Sequence, residues 1–254
     1  MRLSSRGDNI QLMDAPEHGK HSLSRRPVER IAHRGAKREL PENSLSAFRR
    51  AFERGATGIE LDVHATADGV VVVHHDPDVR LGAPPRGLRR RPIAELAWDE
   101  LGRAELAPGV GIPTLADVLA AVPTGRKVYV EIKGSKIERL VATVIRASST
   151  VCAVHSFDHS AIARMREIAP EISRGILFET PGFDLRAAMD ATGARDVWPQ
   201  WKLVDASLVA AVHAAGGRVI PWTVNARAEA SRLVGLGVDG LCGDDVREFA
   251  GLAD

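Results

Sequence analysis

The feature that most constrains the fold is a regular alternation of short β-branched runs with helix-like stretches, beginning at Ile31 and continuing almost to the C-terminus. Strand-like runs are centred on Ile31, Ile59, Val128, Val151, Ile176, Val197, Val219 and Leu241. Between them lie amphipathic or helix-prone stretches such as Ile137 to Ala147, His159 to Ile168 and Ser207 to Ala214. Gly216-Gly217 is a helix stop before the strand run Arg218 to Thr223. Strands joined through helices lie parallel, and about eight such units is the number that closes a ring. The chain is therefore expected to be an α/β protein, a TIM (β/α)8 barrel with a small insertion after the second strand. A doubly wound open sheet is the competing architecture, disfavoured because no Gly-rich phosphate fingerprint follows the first strand.

With 254 residues and 44% hydrophobic content the chain can bury a full core. Residues 29–254 are assigned to one barrel domain, with the insertion at about 64–113. Residues 1–28 are polar, mixed in charge and without periodicity, and read as a mobile tail. Within the insertion, Arg80 to Gly111 is rich in Pro, Gly and Arg, with a short helix expected around Ile93 to Leu101, and Arg89-Arg90-Arg91 reads as a solvated surface. Asn43 is expected to cap the first helix and Thr114 the one running through Val122.

Net charge of +1 favours neither nucleic acid nor an acidic membrane surface as partner. Cys152 and Cys242 sit in apolar runs and read as buried thiols. No apolar run approaches the roughly 20 residues of a membrane span, and no apolar h-region precedes Arg30, so a cytoplasmic protein is expected.

The chemistry collects first at Ile59 to Asp76, IELDVHATADGVVVVHHD. Glu60 and Asp62 are two apart on a strand, hence on one face. Ala67-Asp68-Gly69 is a turn signal, and a hairpin there folds His75 back towards the level of Glu60. Polar residues at the C-terminal ends of barrel strands are the ones to inspect: His33, Arg34, Glu60, Asp62, Glu131, Lys133, His155, Gln200, Trp222 and Asn225. Glu131 and Lys133 repeat the two-apart spacing on their own strand. Three carboxylates at one mouth, Glu60, Asp62 and Glu131, repel by about 4 kcal/mol per pair at 4 Å and an effective dielectric near 20. Such a cluster calls for a cation, and oxygen ligands point to one divalent ion, Mg²⁺ or Ca²⁺. The alternative is that Arg34 and Lys133 neutralise the carboxylates without metal.

Three carboxylates with one divalent ion leave the site near minus one, and a phosphodiester adds another negative charge. Arg34 and Lys133 balance those charges, a guanidinium being well matched to phosphate oxygens. Phosphodiester cleavage also needs one group to deprotonate a nucleophile and another to protonate the leaving alkoxide, and His33 with His75 suit both tasks.

At these residues the sequence resembles the glycerophosphodiester phosphodiesterase family of phospholipase C-like TIM barrels. The matching motifs are HRG at His33 to Gly35, PEN at Pro41 to Asn43, ELDV at Glu60 to Val63, T-x-DG at Thr66 to Gly69 and HD at His75 and Asp76. EIK at Glu131 to Lys133, SFD at Ser156 to Asp158, WTVN at Trp222 to Asn225 and GVDG at Gly237 to Gly240 continue the set in the family's order. The resemblance implies that His33 and His75 are the acid-base pair, that Glu60, Asp62 and Glu131 bind the metal, and that Arg34 and Lys133 contact the phosphate. It also implies that Glu42 orients His33 or Arg34, and that Trp222 packs against the alcohol portion. The implied reaction is hydrolysis of small-molecule glycerophosphodiesters to glycerol 3-phosphate and an alcohol. Two departures stand out: the family often has Arg-Thr-Thr shortly after HD, and Gly243 stands where a threonine is common. Rival readings are a lysophospholipase D- or sphingomyelinase D-like lipid phosphodiesterase and a barrel that binds glycerophosphodiesters without turnover.

Overall fold

The computed structural model describes residues 27–81 and 89–252. The expected tail, apart from Pro27 and Val28, and the middle of the expected Pro- and Arg-rich excursion lie outside the described residues. Eight parallel strands make the frame: β1 (Glu29–His33), β2 (Gly58–Ala65), β8 (Lys127–Ile132), β9 (Val151–Ser156), β10 (Ser173–Phe178), β11 (Asp196–Pro199), β12 (Arg218–Val219) and β13 (Gly240–Gly243). They are ordered β12-β11-β10-β9-β8-β2-β1-β13, and β13 pairs in parallel with β1. Backbone bonds from Asp239 N to Val219 O and from Cys242 N to Pro221 O bring the two ends of the sheet together. The fold is the expected TIM barrel.

The strand run at Arg218 to Thr223 is shorter than expected, ending at Val219. Pro221, lacking an N–H, cannot donate to the ladder there, although Ile220 N still reaches Val197 O. Outside the strands pack α1 (Leu45–Glu53), α3 (Leu115–Ala121), α4 (Glu138–Arg146), α5 (His159–Ile168), α6 (Leu185–Thr192), α7 (Ala206–Ala214) and α8 (Arg227–Leu236). Alternation along each strand creates two cores. Ile59, Leu61, Val63, Val128, Val130 and Ile132 face outward against the helices, whereas Ile31, Tyr129, Ala153, Leu177, Trp198 and Ile220 fill the barrel interior.

Thr114 caps α3 as expected, in a capping box with Asp117. The cap of α1 is Ser44 rather than Asn43: the Ser44 hydroxyl accepts from Ala47 N at 3.1 Å. Asn43 lies in the left-handed region at φ 57° and is buried, with its amide turned inward to Asp62. A residue that reads as a cap is thus spent on the site.

The insertion forms between β2 and α3. The turn at Thr66 to Gly69 folds β3 (Val71–Val73) antiparallel onto β2, pairing Val63 with Val73 and Ala65 with Val71. Two further hairpins follow, β4 (Asp78–Leu81) with β5 (Arg89–Pro92), and β6 (Glu105–Ala107) with β7 (Val110–Gly111). The helix expected over Ile93 to Leu101 is a 3-10 turn at Ile93–Glu95 followed by α2 (Trp98–Leu101). The insertion has its own small core of Val72, Val79, Ile93, Leu96, Leu101, Ala104 and Ile112.

Candidate active site

Parallel register lays the polar residues out as a belt. His33 is opposite Glu60 on β1 and β2, Asp62 is opposite Glu131 on β2 and β8, and Glu131 is opposite His155 on β8 and β9. His33, Glu131 and His155 sit at or next to the C-terminal ends of their strands, and Glu60 and Asp62 lie level with them along the longer β2. Glu60, Asp62, Glu131 and His155 are buried. The two-apart spacing of Glu60 and Asp62 does place both on the interior side, since Ile59, Leu61 and Val63 belong to the outer core.

Arg34, at φ 57° just past β1, donates its backbone N–H to Glu60 Oε2 at 3.1 Å and sets its guanidinium Nε 3.1 Å from Asp62 Oδ2. Its Nη1 donates to Glu42 Oε1 at 2.9 Å, and Lys37 Nζ stands 3.3 Å from Glu42 Oε2. Lys133 Nζ lies 3.2 Å from Glu131 Oε1 and 3.6 Å from Asp62 Oδ1. Burial acts to raise the Asp62 carboxyl, but the Arg34 charge, the Asn43 amide and Lys133 outweigh it and hold Asp62 below the ordinary range. Glu60 has less cationic support: burial first, then the Asp62 charge, push it up to about 7. Burial and the Asp62 and Glu60 charges likewise push Glu131 up to about 7.

Ligand atoms of Glu60, Glu131 and His155 all lie within 4.8 Å of one another, a grouping able to hold a metal ion. Among buried atoms without a hydrogen-bond partner are Asp62 Oδ1 and both ring nitrogens of His155. Burial drives His155 down to about 4, so its imidazole is neutral near pH 7 and has a lone pair to offer. Such donors fit a divalent cation: an oxygen-rich set with one imidazole, orphaned lone pairs, and carboxylates whose repulsion a cation reverses. Asp62 stands differently from Glu60 and Glu131, because Oδ2 is taken by Arg34 and Asn43 while Oδ1 has no hydrogen bond.

Each expected acid-base histidine is held by an aspartate. His33 Nδ1 is 2.8 Å from Asp244 Oδ1, and His75 Nδ1 is 2.8 Å from Asp76 Oδ1. Asp244, directly after β13, also accepts from Asn225 Nδ2 at 2.8 Å and lies 3.5 Å from Lys37 Nζ. A cavity of about 380 Å³ opens over this floor. His33, Arg34, Glu60, His75, Glu131, Lys133 and His155 line its polar side, and Phe157, Leu177 and Trp222 its apolar side. Trp222 donates from Nε1 to Trp198 O at 3.0 Å and meets Phe157 edge to face. Beyond His75 a second cavity of about 420 Å³ runs between Glu42, Asp76 and the insertion residues Asp78, Arg80, Arg90 and Glu105.

The structure thus brings His33, Arg34, Glu60, His75, Glu131, Lys133 and Trp222 around one cavity, with Asp62 beneath it and Glu42 outside it, bound to Arg34. Two residues went unassigned in the sequence. His155 carried only its place at a strand end, and Asp244 carried no local signal at all. Gly243 leaves no room for the threonine common in the resembling family: a Cβ there would stand 2.1 Å from Val224 O.

Comparison with known proteins shows the family and the fold. The profile of the Glycerophosphoryl diester phosphodiesterase family matches residues 33–248. A glycerophosphodiester phosphodiesterase of Caldanaerobacter subterraneus is 30% identical over 232 residues, covering 85% of this chain and 93% of the relative. One from Bacillus altitudinis is 30% identical over 232 residues, covering 84% and 93%. Among solved structures, an Oleispira antarctica phosphodiesterase in complex with the product sn-glycerol-3-phosphate superposes with a TM-score of 0.79 at 22% identity, over 89% of this chain and 96% of that one. The Thermotoga maritima glycerophosphodiester phosphodiesterase gives 0.74 at 24% identity, over 88% and 98%.

Proposed function

The chain belongs to the glycerophosphoryl diester phosphodiesterase family and is a glycerophosphodiester phosphodiesterase, and we propose that it works by two-histidine acid-base catalysis beside a divalent metal. The observation that carries this reading is the pair of His–Asp couples, His33–Asp244 and His75–Asp76, facing one cavity floored by Glu60, Glu131 and His155. Each couple occupies Nδ1 and leaves Nε2 as the nitrogen that exchanges protons.

Glu60 and Glu131 would hold the ion, Mg²⁺ or Ca²⁺, with Asp62 Oδ1 and a nitrogen of His155 as the further donors. When bound, the cation supplies charge neutralisation among the carboxylates and Lewis-acid polarisation of a phosphoryl oxygen. Arg34 is held by the hydrogen bond from Nη1 to Glu42 and by the charge of Asp62 3.1 Å from Nε, which leaves Nη2 for a phosphate oxygen. Lys133 offers a second cation to the phosphate. Glu42 acts through Arg34, and Trp222 with Phe157 forms the apolar wall against which a carbon skeleton packs.

One histidine takes a proton from the attacking hydroxyl, of water or of the glycerol 2-position, as the new P–O bond forms. The other donates a proton to the departing alkoxide as the old P–O bond breaks. The products are glycerol 3-phosphate, directly or through a cyclic phosphate, and a free alcohol.

The test is turnover of glycerophosphocholine, glycerophosphoethanolamine, glycerophosphoglycerol, glycerophosphoinositol and lysophospholipids with products identified, by wild type, His33→Ala and His75→Ala. Each variant is expected to lose at least about 10²-fold in kcat with an unaltered far-UV spectrum and melting curve. Full turnover by either variant rejects its histidine. Turnover confined to lysophospholipids moves the substrate to lipids.

A further inference from the structure

At the opposite end of the barrel, where the strands begin, lies a second polar cleft of about 290 Å³ that the hydrolytic reaction does not use. Lys127, Arg174, Asp196 and Arg218, from the starts of β8, β10, β11 and β12, line it together with Arg195 and Glu171. Four cations there face two carboxylates, and Glu171 is bridged at 2.8 Å to Arg146.

Two of these groups are poorly satisfied. Asp196 is 4% exposed, and its Oδ2 is a buried oxygen with no hydrogen-bond partner. Lys127 Nζ stands 3.9 Å from that oxygen, beyond hydrogen-bond range, and otherwise sits 4.4 Å from the centre of the Tyr129 ring. The neighbouring arginines are fixed through part of their guanidinium groups. Arg174 donates from Nε to Thr192 O and from Nη1 to Pro170 O and Ile172 O, while Arg195 donates from Nη1 to Gly216 O. Arg174 Nη2 and Arg195 Nε and Nη2 make no hydrogen bond among the described residues, and both arginines line the cleft. Arg218 is occupied by Glu29 at 2.7 Å and lies 3.6 Å from Asp196 Oδ1.

An excess of cations around one buried acceptor is an unusual demand. A bare anion satisfies Lys127 and the arginines but is repelled by Asp196 Oδ2, and a cation does the reverse. An oxyanion that carries its own O–H satisfies both, its charged oxygens taking the N–H donors while its hydroxyl donates to Asp196. Phosphate at neutral pH keeps such a proton, and phosphomonoesters near their second pKa or with hydroxylated alcohols also present an O–H. Sulfate presents none.

We propose that this cleft at the N-terminal end of the barrel binds a hydroxyl-bearing phosphate, either inorganic phosphate or a small phosphomonoester, with Asp196 as the acceptor that selects against sulfate. The default reading of this end of such a barrel is stability alone. It accounts for the carbonyl-capping arginines but not for a buried carboxylate oxygen that accepts no hydrogen bond while its nearest ammonium stands 3.9 Å away.

The experiment is calorimetric titration of the full chain with potassium phosphate, sn-glycerol 3-phosphate and sulfate at pH 7.5. Wild type is compared with Arg195→Gln, an exposed position, and Asp196→Asn, with diester turnover measured on each. A binding component absent from Arg195→Gln, or weakened at least about tenfold, with turnover unchanged, supports the cleft. So does sulfate binding to this component at least about tenfold more weakly than phosphate, with Asp196→Asn narrowing the gap. The tighter of the two phosphate probes identifies the source. Identical phosphate isotherms in wild type and Arg195→Gln overturn the proposal, as does sulfate binding to that component as tightly as phosphate. Since the reacting centre is at the other mouth, loss of turnover in the histidine variants leaves this readout intact.

Discussion

At the scale of single residues, the site depends on how each titrating group is held. Asp244 is pushed upward by burial, but the hydrogen bond and charge of His33, with Lys37 and Asn225, outweigh burial and leave its carboxyl far below the usual range. Asp244→Asn keeps the shape and removes the charge that supports an imidazolium at His33. Its kcat is expected to fall by about 10²-fold or more with a smaller change in KM, as measured by steady-state diester hydrolysis. The same substitution has a pH signature in stability. A folded-state pKa below the unfolded value of about 3.9 contributes stability that is fully present above that value and is lost as pH falls further towards the folded pKa. The difference in unfolding free energy between wild type and Asp244→Asn is therefore expected at pH 7 and should shrink below about pH 4 in urea melts. Asp244 lies 211 residues from His33 and belongs to no motif that carried the sequence reading. Only the pairing of β13 with β1, which sets Gly243 beside Ala32, brings the two together.

At the scale of elements, the insertion joins substrate-side geometry to the acid-base pair. Arg90 on β5 donates to Asp78 on β4 at 2.5 Å and lies 3.4 Å from Asp76 Oδ2, whose other oxygen meets His75 Nδ1. All three arginines of the triplet are exposed, as a solvated surface requires, and Arg90 among them also reaches the aspartate behind a histidine. Because the pair is open to solvent, its effect is modest: Arg90→Gln is expected to lower kcat about two- to fivefold, and Arg90→Lys less, with the melting temperature unchanged. A kcat equal to wild type in Arg90→Gln would detach the insertion from the chemistry. The hairpin of β2 and β3 was legible because Ala67-Asp68-Gly69 is local turn chemistry flanked by β-branched runs. The contact between β5 and the HD motif was not, since it is made by side chains across a cavity rather than by periodicity.

At the scale of the whole molecule, the alternation of strands and helices specified the barrel, and the barrel then specified which polar residues share a mouth. Glu60, Asp62, Glu131, His33 and His75 were readable for that reason, each being tied to a strand end or a local hairpin. His155 was not separable from a structural histidine, because its significance lies in being opposite Glu131 across β8 and β9. The same convergence ties metal binding to global stability. Glu60 and Glu131 come from neighbouring strands of the sheet and His155 from a third, so an ion that binds them holds β2, β8 and β9 together and has no equivalent site in the unfolded chain. A ligand present at about 100 times its Kd adds about 2.7 kcal/mol to folding. For a chain of this length about 1 kcal/mol moves the melting temperature by about 2–4 °C. Saturating Mg²⁺ or Ca²⁺ is therefore expected to raise Tm by about 5–10 °C over EDTA-treated protein, and EDTA should abolish turnover reversibly. Glu131→Gln should remove most of the metal-dependent rise without preventing folding, since it also removes a repelling charge from the cluster. A Tm and a turnover number both unchanged after thorough chelation would return the cluster to Arg34 and Lys133 as its only counter-charges.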